Sequence, residues 1–291
     1  MKLDVYVCNK SFDISMRGNS SLTECLGNLN DVSLHISKND EPIFNPLSWY
    51  EQIIDNDQSI DEWLYDYSTQ ENIDEKLLLQ EIIKQTVYIE EEEYSIAVNE
   101  IRKRESMASG NALLCLCQVD SCNPPENFNI HCIFDYLQVH RFYAHGLKSN
   151  SELFESFGYC FPNLRFSMNV VGALSIFKPL HDYIKEIMHH LIILNDQGID
   201  IYKELGSTKE SEMMKKLQTK LHCSGQGDPE YEKKNLIFPF VNNKGIQEYI
   251  KCAPHTKLFH QGSAFRIYFS WPHQNVDLGT SLLIGHIGRH L

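Results

Sequence analysis

Residues 264–291 read AFRIYFSWPHQNVDLGTSLLIGHIGRHL, and two strands joined by a turn account for this segment. In AFRIYFSW the side chains alternate, so that Ile267 and Phe269 share one face and Arg266 and Tyr268 share the other. The segment PHQNVDLGT is rich in turn residues and connects this strand to SLLIGHIGRHL. We therefore predict an antiparallel hairpin, one face of which belongs to the core.

Two glycines in the second strand predict a bulge or a close approach of the backbone. Gly285 and Gly288 interrupt a hydrophobic run, and glycine inside a strand is typical of both features. Simple alternation would place His286 on the same face as Ile284. We expect the glycines to clear space beside the His286 ring.

Length and composition indicate a folded protein. The chain has 291 residues, of which 42% are hydrophobic, and this is about twice the usual domain length. No segment approaches the ~18 apolar residues of a membrane helix, and MKLDVYVCNKSFD does not resemble a secretory signal. We expect a cytoplasmic protein with no membrane partner. Nine cysteines, an odd number, then indicate free thiols or metal ligands rather than a disulfide framework.

The net charge of −13 comes entirely from the first part of the chain. Residues 1–110 contain 22 acidic and 9 basic residues, whereas residues 111–291 contain 17 of each. An acidic surface argues against nucleic-acid binding there and favours a protein partner with a basic surface. Acidic residues also serve simply to keep a protein soluble, and both interpretations stay open.

The pattern along the chain predicts an α+β protein of three parts. Residues 1–110 form an acidic α/β domain, with strands in LDVYVCNKSF and VSLHIS followed by helices. Residues 111–221 are mostly helical, and residues 222–291 form an antiparallel β-rich module. The first boundary lies where small residues gather and the acidic bias ends.

Several helices have recognisable ends. Capping boxes at Ser59 with Glu62 and at Ser207 with Glu210 predict two helix starts. Residues 130–146 and the segment NSELFESFG predict helices that end at glycine. In PLHDYIKEIMHHLIILND an apolar residue recurs at each helical turn, and we expect one of the two adjacent histidines to be buried and the other exposed.

Residues 252–291 concentrate the side chains that cleavage of an RNA phosphodiester requires. The reaction needs a base for the 2′-hydroxyl, an acid for the leaving oxygen and cations for the phosphate. Candidate proton carriers are His255 and His286, candidate phosphate contacts are Lys257, Arg266 and Arg289, and Tyr268 is a candidate helper. The alternative is that the charged residues occupy a solvated face and that the strand only anchors the chain.

The order of these segments resembles the C-terminal half of the RelE/ParE toxin family. A basic segment, RIYF, a loop and a hydrophobic strand ending in IGHIGRH carry the resemblance, which covers only residues 252–291. In that family the RelE branch cuts messenger RNA with scattered Lys, Arg, Tyr or His residues, and the ParE branch acts on gyrase. By the resemblance, Arg266 matches the central-strand arginine, and Arg289 or His290 falls near the terminal catalytic position.

The resemblance implies a toxin-like, metal-independent endoribonuclease of a bacterial defence or toxin–antitoxin system. Such an enzyme would need no cofactor and would meet RNA or the ribosome through a RelE-like module at residues 222–291. The alternative is a non-catalytic interaction subunit of a larger complex, which binds a protein partner through the acidic N-terminal part.

A cysteine-rich stretch admits a zinc site as a second interpretation. The candidate ligands are Cys115, Cys117, Cys122 and Cys132. Their spacing lacks the paired two-residue knuckles of structural zinc sites, so buried cysteines acting as small hydrophobic residues are the favoured interpretation. The chain contains no G-x-S-x-G, H-E-x-x-H or phosphate-loop motif.

Overall fold

The computed structural model describes residues 2–13, 15, 21–55, 57–68, 71–103, 110–117, 128–206, 209–225 and 228–291. The chain divides into two compact units, Met1–Gly146 and Leu147–Leu291. The divisions expected near residues 110 and 221 differ from this one, because strand pairing joins the segments on both sides of each. Residues 111–114 pair with residues 4–7, and residues 164–166 pair with residues 282–284.

The first unit is built on a five-stranded parallel sheet. Its strands, in sheet order, are β5 (Thr86–Tyr88), β2 (Ile43–Asn45), β1 (Asp4–Val7), β6 (Asn111–Leu114) and β7 (Asn129–Ile130). All neighbouring strands are parallel. The chain starts in the middle, adds two strands on one side and then two on the other. The order therefore reverses between β1 and β6, which makes this position a topological switch point.

Helices cover this sheet, and the unit also contains a small separate hairpin. The helices are α1 (Leu22–Lys38), α2 (Ile60–Tyr65), α3 (Ile73–Lys84), α4 (Glu91–Lys103) and α5 (Ile133–Ala144). The hairpin pairs β3 (Ile53–Asp55) with β4 (Gln58–Ser59). Helix α1 packs on α3 and α5, and α4 packs on β1 and β6. The connection through α1 runs from β1 to β2, and the connection through α4 runs in the opposite direction across the sheet, from β5 to β6. Because such connections are right-handed, α1 and α4 lie on opposite faces of the sheet.

One predicted strand of the first unit is wrong. VSLHIS lies inside α1, where Leu29, Val32 and Ile36 recur at helical spacing and are buried. The helix begins after Ser21, whose hydroxyl accepts a hydrogen bond from the Glu24 amide at 3.2 Å. Over six residues, the apolar positions of this amphipathic helix happen to alternate with polar ones, as they would in a strand. The strand predicted in LDVYVCNKSF is confirmed as β1.

The second unit contains a mixed five-stranded sheet and a separate hairpin. In sheet order its strands are β8 (Leu164–Phe166), β14 (Leu282–Arg289), β13 (Phe265–Ser270), β12 (His255–Lys257) and β9 (Cys223–Ser224). Strand β8 runs parallel to β14, and the other pairs are antiparallel. The predicted hairpin is confirmed as β13 and β14. The separate hairpin pairs β10 (Ile237–Val241) with β11 (Gln247–Lys251).

The helices of the second unit are α6 (Asn150–Cys160), α7 (Asn169–Leu174), α8 (Ile184–Leu205), α9 (Glu210–Gln218) and α10 (Pro229–Asn235). Helices α7 and α8 pack on β14. The apolar stripe predicted in PLHDYIKEIMHHLIILND is buried along α8, His190 is buried and His189 is exposed, as expected. Helix α6 continues past the glycine at which it was expected to end. No helix in the described ranges is both long and apolar enough to cross a membrane.

Of the two predicted capping boxes, the one formed by Ser59 and Glu62 lies within the described residues. Ser59 accepts a hydrogen bond from the Glu62 amide at 3.2 Å, and the Ser59 amide donates to the Glu62 carboxylate at 3.1 Å. This box is confirmed at the start of α2. Ser207 lies outside the described residues, and α9 follows Lys209.

Candidate active site on the sheet of the second unit

Strand pairing collects the candidate residues of the three central strands on one face of the sheet. His255 of β12 pairs with Tyr268 of β13, which pairs with His286 of β14. Lys257 pairs with Arg266 in the next row of the same face. Since paired residues of a ladder share a face and alternate residues return to it, these five side chains are neighbours.

Of the last two candidates, the structure brings one to this face and not the other. The His290 ring lies 6.1 Å from the His255 ring and 6.4 Å from the Tyr268 ring, centre to centre. Arg289 instead pairs with Phe265, so alternation points its side chain to the opposite face. The backbone carbonyl of Arg289, and not its side chain, contacts the candidate face, where it lies 3.1 Å from His286 Nε2.

A β-bulge at Gly285 determines which way His286 points. Tyr268 pairs with His286, but the next residue, Phe269, pairs with Ile284, so Gly285 has no partner across the ladder. His286 and Ile284 therefore lie on opposite faces, and the simple alternation expected from sequence is wrong here. The bulge predicted from the glycines is confirmed.

Both glycines also allow close approaches, as expected. A Cβ atom on Gly285 would lie 2.4 Å from the Phe238 ring and 2.9 Å from Cys252 Sγ. A Cβ atom on Gly288 would lie 2.5 Å from His286 Nε2. Real Cβ atoms do not tolerate such distances, so glycine at both positions leaves room for the ring and its hydrogen bond.

The alternative hypothesis, that the charged residues occupy a solvated face, is wrong at the centre of this sheet. Phe238 and Ile250 of the β10–β11 hairpin belong to one buried cluster with Tyr268. Tyr268 is fully buried, and His255 and Arg266 are only 3% and 7% exposed. The accessible candidates are Lys257 and His286, which are half-buried, and His290, which is exposed.

His286 has the protonation state and tautomer of a base. Burial lowers its pKa below the ordinary value for histidine, which favours the neutral ring at neutral pH. A carbonyl oxygen can only accept a hydrogen bond, so Nε2 carries the proton that it donates to Arg289. The lone pair of the neutral ring is then on Nδ1.

His255 has both ring nitrogens engaged. Its Nδ1 lies 3.2 Å from the Ala253 carbonyl and must donate to it, and its Nε2 accepts from the Ser224 hydroxyl at 2.8 Å. Burial lowers the pKa of His255 to about 4. Its ring packs 5.0 Å from the Tyr268 ring. Of the two proton carriers considered from sequence, the geometry therefore favours His286 and gives His255 a supporting position.

Basic side chains gather on this face. Arg266 donates to the carbonyls of Ser263 and Phe265, and its buried Nε has no hydrogen-bond partner. In the described part of the chain, no carboxylate forms an ion pair with Arg266, Lys257 or His290. Burial without a counter-ion disfavours the charged form, which lowers the pKa of Arg266. An anion placed beside it would offset this cost.

The cysteines considered as zinc ligands do not form a metal site in the described residues. Cys115 and Cys117 are buried after β6, and Cys132 Sγ contacts the Asp135 carboxylate at 3.5 Å. Cys122 lies outside the described residues. No three His, Cys, Asp or Glu side chains within the described ranges are placed to hold a metal ion.

The sequence did not reveal a buried acid in the first unit. Glu41 is 3% exposed and accepts hydrogen bonds from the Tyr136 hydroxyl at 2.6 Å and the Leu3 amide at 2.8 Å. His140 Nε2 lies 3.2 Å from the same carboxylate. These partners are far apart in the chain, so no local motif signals them, and their bonds connect Leu3, the residue before β1, to α5 through Glu41.

Three comparisons with known proteins gave no relative. No family model, curated protein or solved structure matches the chain.

Proposed function

We propose that the chain is a toxin-like effector that cleaves RNA, as in bacterial defence or toxin–antitoxin systems, at the accessible residues of the β12–β14 face. The observation that carries the proposal is the neutral, oriented His286 ring beside cations that lack paired acids in the described residues. A base next to unpaired positive charge suits a substrate with both a hydroxyl and a phosphate. The resemblance of residues 252–291 to RelE-type sequences supports the same reaction.

The proposed reaction uses the side chains as proton carriers and phosphate contacts. His286 Nδ1 takes the proton of the 2′-hydroxyl, and the 2′-oxygen forms a bond to phosphorus. The bond from phosphorus to the 5′-oxygen breaks, and protonated His290 gives that oxygen its proton. Lys257 stabilises the charge on the other phosphate oxygens, and the buried Arg266 adds positive charge to the face without contacting them. The products are a 2′,3′-cyclic phosphate and a 5′-hydroxyl.

The proposal is tested by induced expression of the wild type and of variants, followed by growth and total RNA. His286→Asn removes the base while keeping a group that can donate to the Arg289 carbonyl. His181→Ala is the matched control, because His181 belongs to the same unit and its side chain is 78% exposed. We expect growth arrest and RNA fragments with the wild type and the control, and neither with His286→Asn. Equal fragmentation by His286→Asn would contradict the proposal.

A second candidate function is a protein-interaction subunit, favoured by a surface of the first unit. An open depression of about 650 Å³ is lined by Leu47, Glu51, Asp61, Glu62 and Tyr65 among others. Leu47 and Tyr65 are 60% and 61% exposed. Apolar anchors surrounded by acids fit a partner that presents basic residues around an apolar patch.

Charge reversal at this depression tests the second function. Glu51→Lys with Asp61→Lys keeps the Glu62 cap of α2 intact while reversing the local charge. We expect this double variant to lose a co-purifying partner that the wild type retains at low salt, and Glu81→Lys on α3 to keep it. Loss of the partner in both variants would show that net charge, and not this surface, is responsible.

A further inference from the structure

A cavity of about 270 Å³ lies in the first unit at the carboxyl edge of the parallel sheet. Asn9 and Lys10, which follow β1, form one side, and Tyr94, Asn99 and Arg102 of α4 form another. In open parallel sheets, ligands bind outside the carboxyl ends of the strands. The volume is close to the lower limit of small-molecule sites, so the ligand it suits is small.

The lining is cationic in an acidic region. Lys10 and Arg102 contribute positive charge, and none of the described lining residues is Asp or Glu, although acids outnumber bases by 22 to 9 in residues 1–110. In the described ranges neither cation forms an ion pair with a carboxylate. Arg102 Nε is buried and has no hydrogen-bond partner there. An anionic group would accept a hydrogen bond from Arg102 Nε and would neutralise the positive charge of Lys10 and Arg102.

Asn9 lines the same cavity and has a buried acceptor with no partner among the described residues. Its Nδ2 donates to Ser48 Oγ at 2.8 Å, and Ser48 Oγ donates to the Glu91 carboxylate at 3.0 Å. Because the Ser48 proton goes to Glu91, Asn9 must offer its NH₂ group to Ser48, which fixes the orientation of the amide. Asn9 Oδ1 is then a buried acceptor without a partner in the described structure. A ligand hydroxyl would satisfy it.

We propose that this cavity binds a small hydroxylated phosphate ester, of the size and chemistry of a sugar phosphate. The phosphate lies between Lys10 and Arg102, and a hydroxyl donates to Asn9 Oδ1. The neutral amides of Gln52 and Asn99, which also line the cavity, supply further hydrogen bonds. The site uses residues of the first unit alone and does not depend on RNA cleavage by the second.

Calorimetric titration of the full chain with ribose 5-phosphate tests the site, with ribose and inorganic phosphate as separate probes. We expect ribose 5-phosphate to bind more tightly than either. Arg102→Gln and Lys10→Gln should each weaken its binding by about tenfold, the size expected for loss of a charge-assisted hydrogen bond. Asn9→Ala should weaken binding of ribose 5-phosphate but not that of phosphate. Lys103→Gln is the matched control, since Lys103 is exposed on α4 and does not line the cavity.

Lys10 is exposed, so its variant keeps the fold and remains informative if Arg102→Gln unfolds. Absence of ribose 5-phosphate binding to the wild type would overturn the proposal. Equal binding by wild type and Lys10→Gln, or binding of ribose as tight as that of ribose 5-phosphate, would overturn the phosphate contact. Phosphate binding as tight as that of ribose 5-phosphate would overturn the hydroxyl contact.

Discussion

At the scale of single residues, Gly285 leaves the least room for a Cβ atom among the described glycines of the second unit. Alanine at this position would force its Cβ into the Phe238 ring and Cys252 Sγ, and such overpacking typically costs about 1–3 kcal/mol. We expect Gly285→Ala to lower the free energy of unfolding by that amount in chemical denaturation.

Gly158→Ala is the control for this prediction. Gly158 lies in α6, and no atom lies within 4 Å of an added Cβ. Alanine there should leave stability unchanged or raise it by up to about 1 kcal/mol. If both variants behave alike, the packing assigned to Gly285 is wrong.

His255 makes stability depend on pH. Burial lowers its pKa to about 4, from an ordinary value of 6.5. Between these values the unfolded chain binds a proton that the folded chain does not, so the free energy of unfolding falls as pH drops through this window. His190, whose pKa burial also lowers to about 4, acts in the same direction.

The contribution of His255 is measured by denaturation of wild type and His255→Gln from pH 7 to pH 4. Removing one such proton should reduce the pH slope by at most about 1.4 kcal/mol per pH unit. Identical slopes would show that His255 does not titrate differently on folding.

At the scale of elements, helix α6 begins with a capping box that was not among the predicted ones. Ser149 accepts from the Glu152 amide at 3.2 Å, and Glu152 accepts from the Ser149 amide at 3.2 Å. Ser149→Ala should lower the free energy of unfolding by about 1 kcal/mol. Ser151→Ala, which removes an exposed hydroxyl of the same helix, should have little effect, and equal losses would argue against the cap.

Helices and the final hairpin were predictable because their signals are local. The apolar stripe of α8 repeats over many turns, and the strands β13 and β14 are close in sequence. The parallel sheet of the first unit was not predictable, because β2, β5 and β7 have three residues or fewer and give no measurable alternation. For the candidate site, the residue types and the bulge were predictable from the sequence. The burial of its centre by the β10–β11 hairpin was not, because it depends on packing between residues that are far apart in the chain.

At the scale of the whole molecule, each unit contains a complete sheet with its own helices. We expect residues 1–146 and residues 147–291, expressed separately, to show helical and β circular dichroism and cooperative unfolding. Fragments ending at residue 110 should fail, because they lack the β6 strand that pairs along β1. A folded 1–110 fragment, or an unfolded 147–291 fragment, would contradict the division into two units.

Purified full-length protein, incubated with RNA in the presence of a chelator, gives the most direct test of the proposed reaction. We predict fragments with 2′,3′-cyclic phosphate ends, no cleavage at a 2′-deoxy position, and a rate lowered by about 10²–10⁴-fold in His286→Asn. Arg289→Ala, which retains the backbone carbonyl, should stay active. Intact RNA with the wild type, or equal cleavage by His286→Asn, would contradict the assignment of this face as an RNA-cleaving site.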